Sequence, residues 1–288
     1  VTPQDFDYLR KFLRDRSGLV LAVEKQYLAE SRLLPVARRN DMSTLEELID
    51  RLKNRTPAPL SAEVVEAMTT NETFFFRDKI PFDHFRDTIM PTLIAARARE
   101  KRIRIWCTAA SSGQEPYSLA MAIKSMGAAI AGYRIDIVAT DLSSDVLEKA
   151  KAGIYSQFEV QRGLPVQLLV KFFDQVGETW RLAPELRSMV QFRPLNLLND
   201  FSVLGNFDIV FCRNVLIYFD QETKIAVLNR IARQMPEDGF LVLGAAETVI
   251  GLTEAFKPLA DKRGLYVLNS QHSTRGADNV IRLAAAKA

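Results

Sequence analysis

IRIWCTAASSGQEPYSLAMAIKSMG, residues 103–127, decides the fold. Residues 103–107 are a short, mostly apolar run with two isoleucines and a tryptophan, the composition of a strand. Residues 115–127 carry proline early and glycine late, the two ends of a helix. A small polar loop joins them, so the stretch opens a βαβ unit. The pattern recurs downstream. YRIDIVATD (133–141), MVQFRPL (189–195), FDIVFCRN (207–214), GFLVLGAAET (239–248) and RGLYVLN (263–269) read as strands. SSDVLEKAKAG (143–153) and QETKIAVLNRIARQM (221–235) read as helices. The expectation is a doubly wound α/β domain with a parallel sheet. Between 154 and 190 the rhythm breaks, and residues 172–192 predict a small antiparallel β insertion around turn residues.

Ahead of this domain no strand pattern occurs, and residues 1–78 predict an all-helical domain. Thr2-Pro3 reads as an N-cap and first helical residue, with Gly18 as the stop. Pro35 is expected to break a second helix. Ser43 and Glu46 have the spacing of a capping box, and Ser61 is expected to cap a short helix ending at Met68. Residues 56–61, TPAPLS, read as a stiff link. The expected domains are therefore 1–78, 79–269 and a flexible tail at 270–288.

The totals exclude several classes. The 288 residues, 48% hydrophobic, can bury a sizeable core, and no apolar run approaches a membrane span. Two cysteines, Cys107 and Cys212, read as buried reduced thiols rather than a disulfide framework. His84 and His272 lie far apart, which leaves no metal-ligand spacing. VTPQDFDYLRKF lacks a signal-peptide core, so the cytoplasm is the expected compartment. A net charge of +3 is too weak to imply nucleic acid.

In open α/β sheets, ligands sit at the carboxyl ends of the strands. The first loop has one glycine, Gly113, where a dinucleotide site needs several, and Glu115 at the helix start would repel a phosphate. Asp141 ends the second strand, where an acid suits ribose hydroxyls; alternatively it serves the following helix cap with Ser143. A ribose anchor without a phosphate cradle points to S-adenosylmethionine, whose cationic groups tolerate Glu115. Asn196 and Asn214 leave later strands, where an asparagine can bond an adenine edge or an amine, or simply turn the chain.

NETFFFRD (71–78), WCTAASSGQEPYSLAM (106–121), ATDLSSDVLEKAKAGIY (139–155), RPLNLL (193–198) and FDIVFCRNVLIYFD (207–220) together resemble the CheR family, the chemotaxis receptor glutamate O-methyltransferases. The resemblance covers residues 1 to 269. It implies a Rossmann-like S-adenosylmethionine-dependent methyltransferase domain with a small antiparallel β-subdomain, behind an all-helical N-terminal domain. It implies cofactor contacts at Asn71, Thr73, Arg77, Glu115, Asp141, Asn196, Leu197, Asn214 and Val215. It places Arg77 and Tyr218 beside the transferred methyl, with S-adenosylhomocysteine as product.

Methylating a carboxylate needs no general base, because a glutamate of pKa about 4.3 is ionised at neutral pH. The absence of an evident catalytic histidine or cysteine fits that chemistry. Arg77 offers a fixed fork of donors and Tyr218 a phenolic hydroxyl to orient the acceptor; otherwise they are a surface ion pair and a core ring. Chemoreceptor cytoplasmic helices are the expected partners, in contact with a monomer. Arg32, Arg38, Arg39, Arg51, Lys53 and Arg55 are the candidate docking residues, although residues 1–60 carry nine acids against eleven bases. Some family members hold a receptor pentapeptide through a longer, Gly-rich loop of the β-subdomain. FDQVGETW (173–180) is short, so independence of that tether is expected. NAD(P) oxidoreductases lack a cradle here. Amine methyltransferases of nucleic acids would want N-P-P-Y where Asn214 precedes VLIY. A non-catalytic S-adenosylmethionine-binding signalling module, or a methyltransferase of another protein, stays open. NETFFFRD itself is expected to wedge the two domains, with its phenylalanines on more than one side of that joint.

Overall fold

The structure, a computed structural model, describes residues 1–54 and 58–269. Four helices open the chain: α1 (Pro3–Ser17), α2 (Gln26–Arg39), α3 (Leu45–Asn54) and α4 (Ala58–Met68). Thr2 caps α1 by accepting from the Asp5 N–H, and Gly18 ends it in the left-handed region at φ 78°. The apolar faces of all four meet in a core of their own that includes Leu9, Leu13, Leu33, Leu48, Leu52 and Val64.

Three local expectations fail here. Pro35 does not break α2, which runs through it to Arg39. Pro35 and Ser31, whose carbonyl loses its partner, both lie on the exposed side, while Ala29, Leu33, Val36 and Ala37 stay buried on the other. The cap is one residue later than expected: Glu47 N–H donates to Thr44 Oγ1 (3.2 Å), and the Glu47 carboxylate accepts from Ser43 N–H (2.7 Å), the residue before the cap. Ser61 is not a cap either; it is buried inside α4, which starts three residues earlier.

The rest of the chain builds a seven-stranded sheet. Helices α5 (Ile80–His84) and α6 (Met90–Ala96), joined by one π-type turn, lead into β1 (Arg102–Cys107). Then follow α7 (Gln114–Ser125), β2 (Arg134–Asp141) and α8 (Ser144–Ala152). After a small excursion come β6 (Val190–Pro194), β7 (Ile209–Cys212), α12 (Gln221–Ala232), β8 (Phe240–Leu243), β9 (Phe256–Pro258) and β10 (Leu265–Leu268). The strand order is β6-β2-β1-β7-β8-β10-β9. The first five strands run parallel and β10 is antiparallel to both its neighbours. The order reverses between β1 and β7, which is where such a sheet opens a crevice. Ile105 and Trp106 lie beside Ile209 and Val210 in register, so the loops after Cys107 and Cys212 emerge side by side.

The excursion comprises β3 (Ile154–Ser156), α9 (Gln157–Gln161), α10 (Val166–Phe172), β4 (Phe173–Val176), β5 (Thr179–Leu182) and α11 (Pro184–Arg187). Its three strands form a separate antiparallel sheet, β3-β5-β4. That sheet differs in extent from the expected 172–192 insertion. It starts at Ile154, and Val190–Pro194 belongs to the large sheet, paired with β2. Three residues at β3 are too few for a legible alternation, and tertiary pairing supplies what pattern could not.

The helical unit sits over the carboxyl ends of the strands. Glu66 of α4 accepts from Ser143 Oγ (2.5 Å) and Asp145 N–H (2.9 Å) at the start of α8. Asn196 Nδ2 donates to the Arg16 carbonyl (2.6 Å), and Val20 N–H donates to the Tyr218 carbonyl (2.8 Å).

Candidate active site

Between the helical unit and the sheet lies a cleft with two joined lobes. The larger is lined by Ser17, Leu19, Thr69 and Thr70 above and by Thr108, Leu142, Phe219 and their neighbours below. The smaller reaches Thr73, Arg77, Ser111, Glu115 and Arg213. Asn71, Asp141 and Asn214 line both. Of the expected site residues, Asn196, Leu197, Val215 and Tyr218 line the larger lobe, and Thr73, Arg77 and Glu115 the smaller. Sequence positions from 71 to 218 thus converge on one cleft: the segment after α4 brings Asn71, Thr73 and Arg77, and the loops after β1, β2, β6 and β7 bring the rest.

Asp141 is buried at the tip of β2. Its Oδ2 accepts from Ser111 N–H (2.8 Å) and its Oδ1 from Ser143 N–H (3.0 Å). Burial pushes its carboxyl above the ordinary range, and these N–H bonds pull it back. A carboxylate has about four acceptor positions, so each oxygen keeps capacity for a hydroxyl. Ser143 also caps α8 through its own side chain. Both readings of Asp141, cap support and hydroxyl acceptor, are therefore available to one side chain.

The loop after β7 is held by a residue that motif reading missed. Glu247 Oε2 accepts from the N–H groups of Asn214 and Gly244 (both 2.8 Å). Its Oε1 accepts from Val215 (2.9 Å) and Leu216 (2.8 Å). Those four bonds hold Asn214 at φ 57°, in the left-handed region where asparagine is tolerated. Gly244 completes the fit, since an added Cβ would lie 2.7 Å from Glu247 Oε2. On the larger lobe, Arg230 of α12 donates to the carbonyls of Leu197 (2.8 Å) and Leu198 (3.0 Å).

Arg213 is the second missed residue. It is 4% exposed. Its Nη1 donates to Glu115 Oε2 (2.7 Å), and its Nη2 to Asp78 Oδ2 (2.9 Å) and the Arg77 carbonyl (2.8 Å). Burial raises the Glu115 carboxyl, and Arg213 pulls it down again. Cys107 and Cys212 are free and buried, and desolvation holds both thiols protonated.

The octapeptide 71–78 corrects one expectation. Its three phenylalanines do not wedge the helical core; none belongs to it. Phe75 is fully buried in the sheet core, edge-on to Tyr155 and Phe173. Phe76 meets Phe82, and Phe74 lies under the guanidinium groups of Arg77 and Arg162. Three directions of contact explain three consecutive aromatics, all on the sheet side.

The basic docking set does not form one free patch. Arg32 donates to the Met68 and Thr69 carbonyls (2.9 Å each), Arg39 to Glu63, and Lys53 to Asp5. Arg38 and Arg51 stand exposed on α2 and α3 without an ion pair among the described residues. Arg55 and the 270–288 tail lie outside the described residues. No helix among the described residues is long and apolar enough to cross a membrane.

Comparison with known proteins matches residues 4–69 to the CheR methyltransferase all-alpha domain and residues 71–265 to the CheR methyltransferase SAM binding domain. Chemotaxis protein methyltransferase 1 of Pseudomonas aeruginosa is 43% identical over 267 residues, 91% of this chain and 96% of that protein. Chemotaxis protein methyltransferase Cher2 of Pseudomonas putida is 40% identical over 265 residues, covering 91% and 96%. Chemotaxis protein methyltransferase 1 of Vibrio cholerae is 38% identical over 268 residues, covering 92% and 96%. The chain belongs to the CheR methyltransferase family, and its cofactor is S-adenosylmethionine.

Proposed function

We propose that this CheR-family chain methylates glutamate side chains of chemoreceptors in the cytoplasm, as a monomer and without a receptor pentapeptide tether. One observation carries the reaction type. Among the described residues, neither lobe of the cleft is lined by a histidine, cysteine or lysine that could deprotonate an acceptor. Such a site suits an acceptor that is already an anion at neutral pH.

The residues present fit the cofactor. Asp141 retains acceptor capacity for ribose hydroxyls, and Asn71 and Asn214 offer amides at the junction of the lobes. The start of α7 is a poor phosphate cradle, because Asp141 takes the Ser111 N–H and the Glu115 carboxylate lies in the first turn. When bound, S-adenosylmethionine supplies an electrophilic methyl group and a sulfonium leaving group. The chain then has three tasks: holding Asp141 and the 214–216 loop rigid, orienting the acceptor carboxylate, and excluding water around it. Arg77 and Tyr218 are the orienting pair in this reading. Among the described residues Arg77 forms no ion pair; its Nη1 donates to the Glu72 carbonyl (2.7 Å), leaving donors free. Arg38 and Arg51 are the exposed cations available to an acidic receptor helix.

Tether independence rests on the β4–β5 hairpin, whose turn is only Gly177 and Glu178. Calorimetric titration with a receptor C-terminal pentapeptide tests it, and micromolar binding reverses it. The activity itself is tested by transfer of labelled methyl to chemoreceptor-containing membranes, read as base-labile methanol. Arg77→Ala and Tyr218→Phe are expected to lower turnover by one to two orders of magnitude, roughly the cost of a misplaced reactant. Bound cofactor with no label would instead favour a binding module or a different protein acceptor.

A further inference from the structure

Arg77 reaches the cleft from a segment with little secondary structure of its own, so something must fix its direction. Its own side-chain contacts are with Glu72 and Phe74, and both of these are backed by Arg162 of the small-sheet excursion. Arg162 follows α9 and is 41% exposed at its side chain. Its Nη2 meets Glu72 Oε1 at 2.5 Å, and its guanidinium lies 4.5 Å from the centre of the Phe74 ring. Arg77 uses the same two residues. Its guanidinium lies 5.5 Å from the Phe74 ring centre and its Nη1 bonds the Glu72 carbonyl. Two cations sharing one ring repel each other, and the Glu72 carboxylate, held below its ordinary range by the Arg162 hydrogen bond, offsets that.

The next residue fixes the approach. Gly163 has φ 84°, and an added Cβ would lie 2.1 Å from the Phe75 carbonyl oxygen. Backbone presses on backbone here, which only glycine permits. Behind Arg162, the first residue of α9, Gln157, accepts from Trp180 Nε1 on β5 (2.7 Å). A continuous contact chain therefore runs from the small sheet to the arginine of the cleft.

We propose that Arg162 is a positioning residue for methyl transfer: through Glu72 and Phe74 it aims the Arg77 guanidinium, making the small-sheet excursion part of the catalytic apparatus. The inference rests on the reading of Arg77 as an orienting residue. With Arg162 removed, Glu72 and Phe74 lose one of their two anchors, and Arg77 samples more orientations.

The test is a double-mutant cycle on the full chain with Arg77→Ala, Arg162→Ala and the pair. Labelled-methyl transfer to chemoreceptor-containing membranes is read for kcat and KM, together with melting temperature. Amide hydrogen exchange of residues 71–78 is followed without cofactor. Arg162→Ala is expected to lower kcat roughly tenfold, the scale of a sub-ångström misplacement. Its melting temperature and acceptor KM should stay close to the parent's, exchange in 71–78 should speed up, and no further loss should occur when Arg77 is already alanine. Should Arg162→Ala itself melt early, Glu72→Gln serves in the same cycle. Additive losses, or unchanged kcat and exchange in Arg162→Ala, overturn the inference. An unchanged Arg77→Ala enzyme would instead remove the reading on which it rests.

Discussion

Replacing Arg213 by methionine keeps the side-chain volume and removes a buried cation. The Glu115 carboxylate, 8% exposed, then loses its 2.7 Å partner. Breaking a buried pair in this way costs about 3–5 kcal/mol, because one charge stays in the interior uncompensated. At about 2–4 °C per kcal/mol for a chain of this size, the melting temperature should fall by roughly 6–20 °C. The pH dependence has a definite sign. Burial already raises the folded-state pKa of Glu115 above the ordinary glutamate value, and Arg213 opposes that rise. Without Arg213 the folded-state pKa climbs further. Above about pH 4.5 the folded chain then binds more protons at this site than the unfolded chain, so stability falls as pH rises through that window. The deficit of the variant should therefore be largest near pH 8 and shrink toward pH 5.5. Glu115→Gln added to Arg213→Met should recover part of the loss. Thermal and urea melts of Arg213→Met, Glu115→Gln and the double variant across that range measure it. A deficit under about 1 kcal/mol, a deficit independent of pH, or additive single and double losses would refute the buried-pair account.

Three further outcomes follow from the same geometry. Glu247→Gln puts an amide NH₂ against two backbone N–H donors, whichever way it flips. At about 1–3 kcal/mol for an unsatisfied buried group, S-adenosylhomocysteine affinity by calorimetry should weaken roughly tenfold or more. Asp141→Asn sets its NH₂ against the Ser111 or Ser143 N–H and should weaken the same ligand comparably, while unchanged affinity would remove Asp141 from the ribose site. Gly163→Ala meets the Phe75 carbonyl and a positive φ together, so a melting-temperature loss equivalent to about 1–3 kcal/mol is expected.

Much of this was legible in the chain because it is local. The strand–loop–helix reading of residues 103–127 matches β1 and α7 nearly residue for residue, and the single-glycine loop already argued against a phosphate cradle. Thr2 and Gly18 announced both ends of α1. Capping and apolar periodicity act over a few residues, so the sequence carries them directly. Where local rules ran against tertiary packing they misled, as at Pro35, at the 43–47 cap and at β3.

The struts of the cleft could not be read that way. Arg213 and Glu115 are 98 positions apart, Glu72 and Arg162 are 90, and Asn214 and Glu247 are 33. An arginine beside an asparagine in FCRN looks like a surface charge until β1 and β7 become neighbours and close the interior around it. The three phenylalanines likewise acquire their separate directions only from the walls around them. By itself the sequence determined which elements form and which residues the strand ends can offer. The order of the sheet decided which buried charges meet, because partner choice depends on distances that exist only once the strands are side by side.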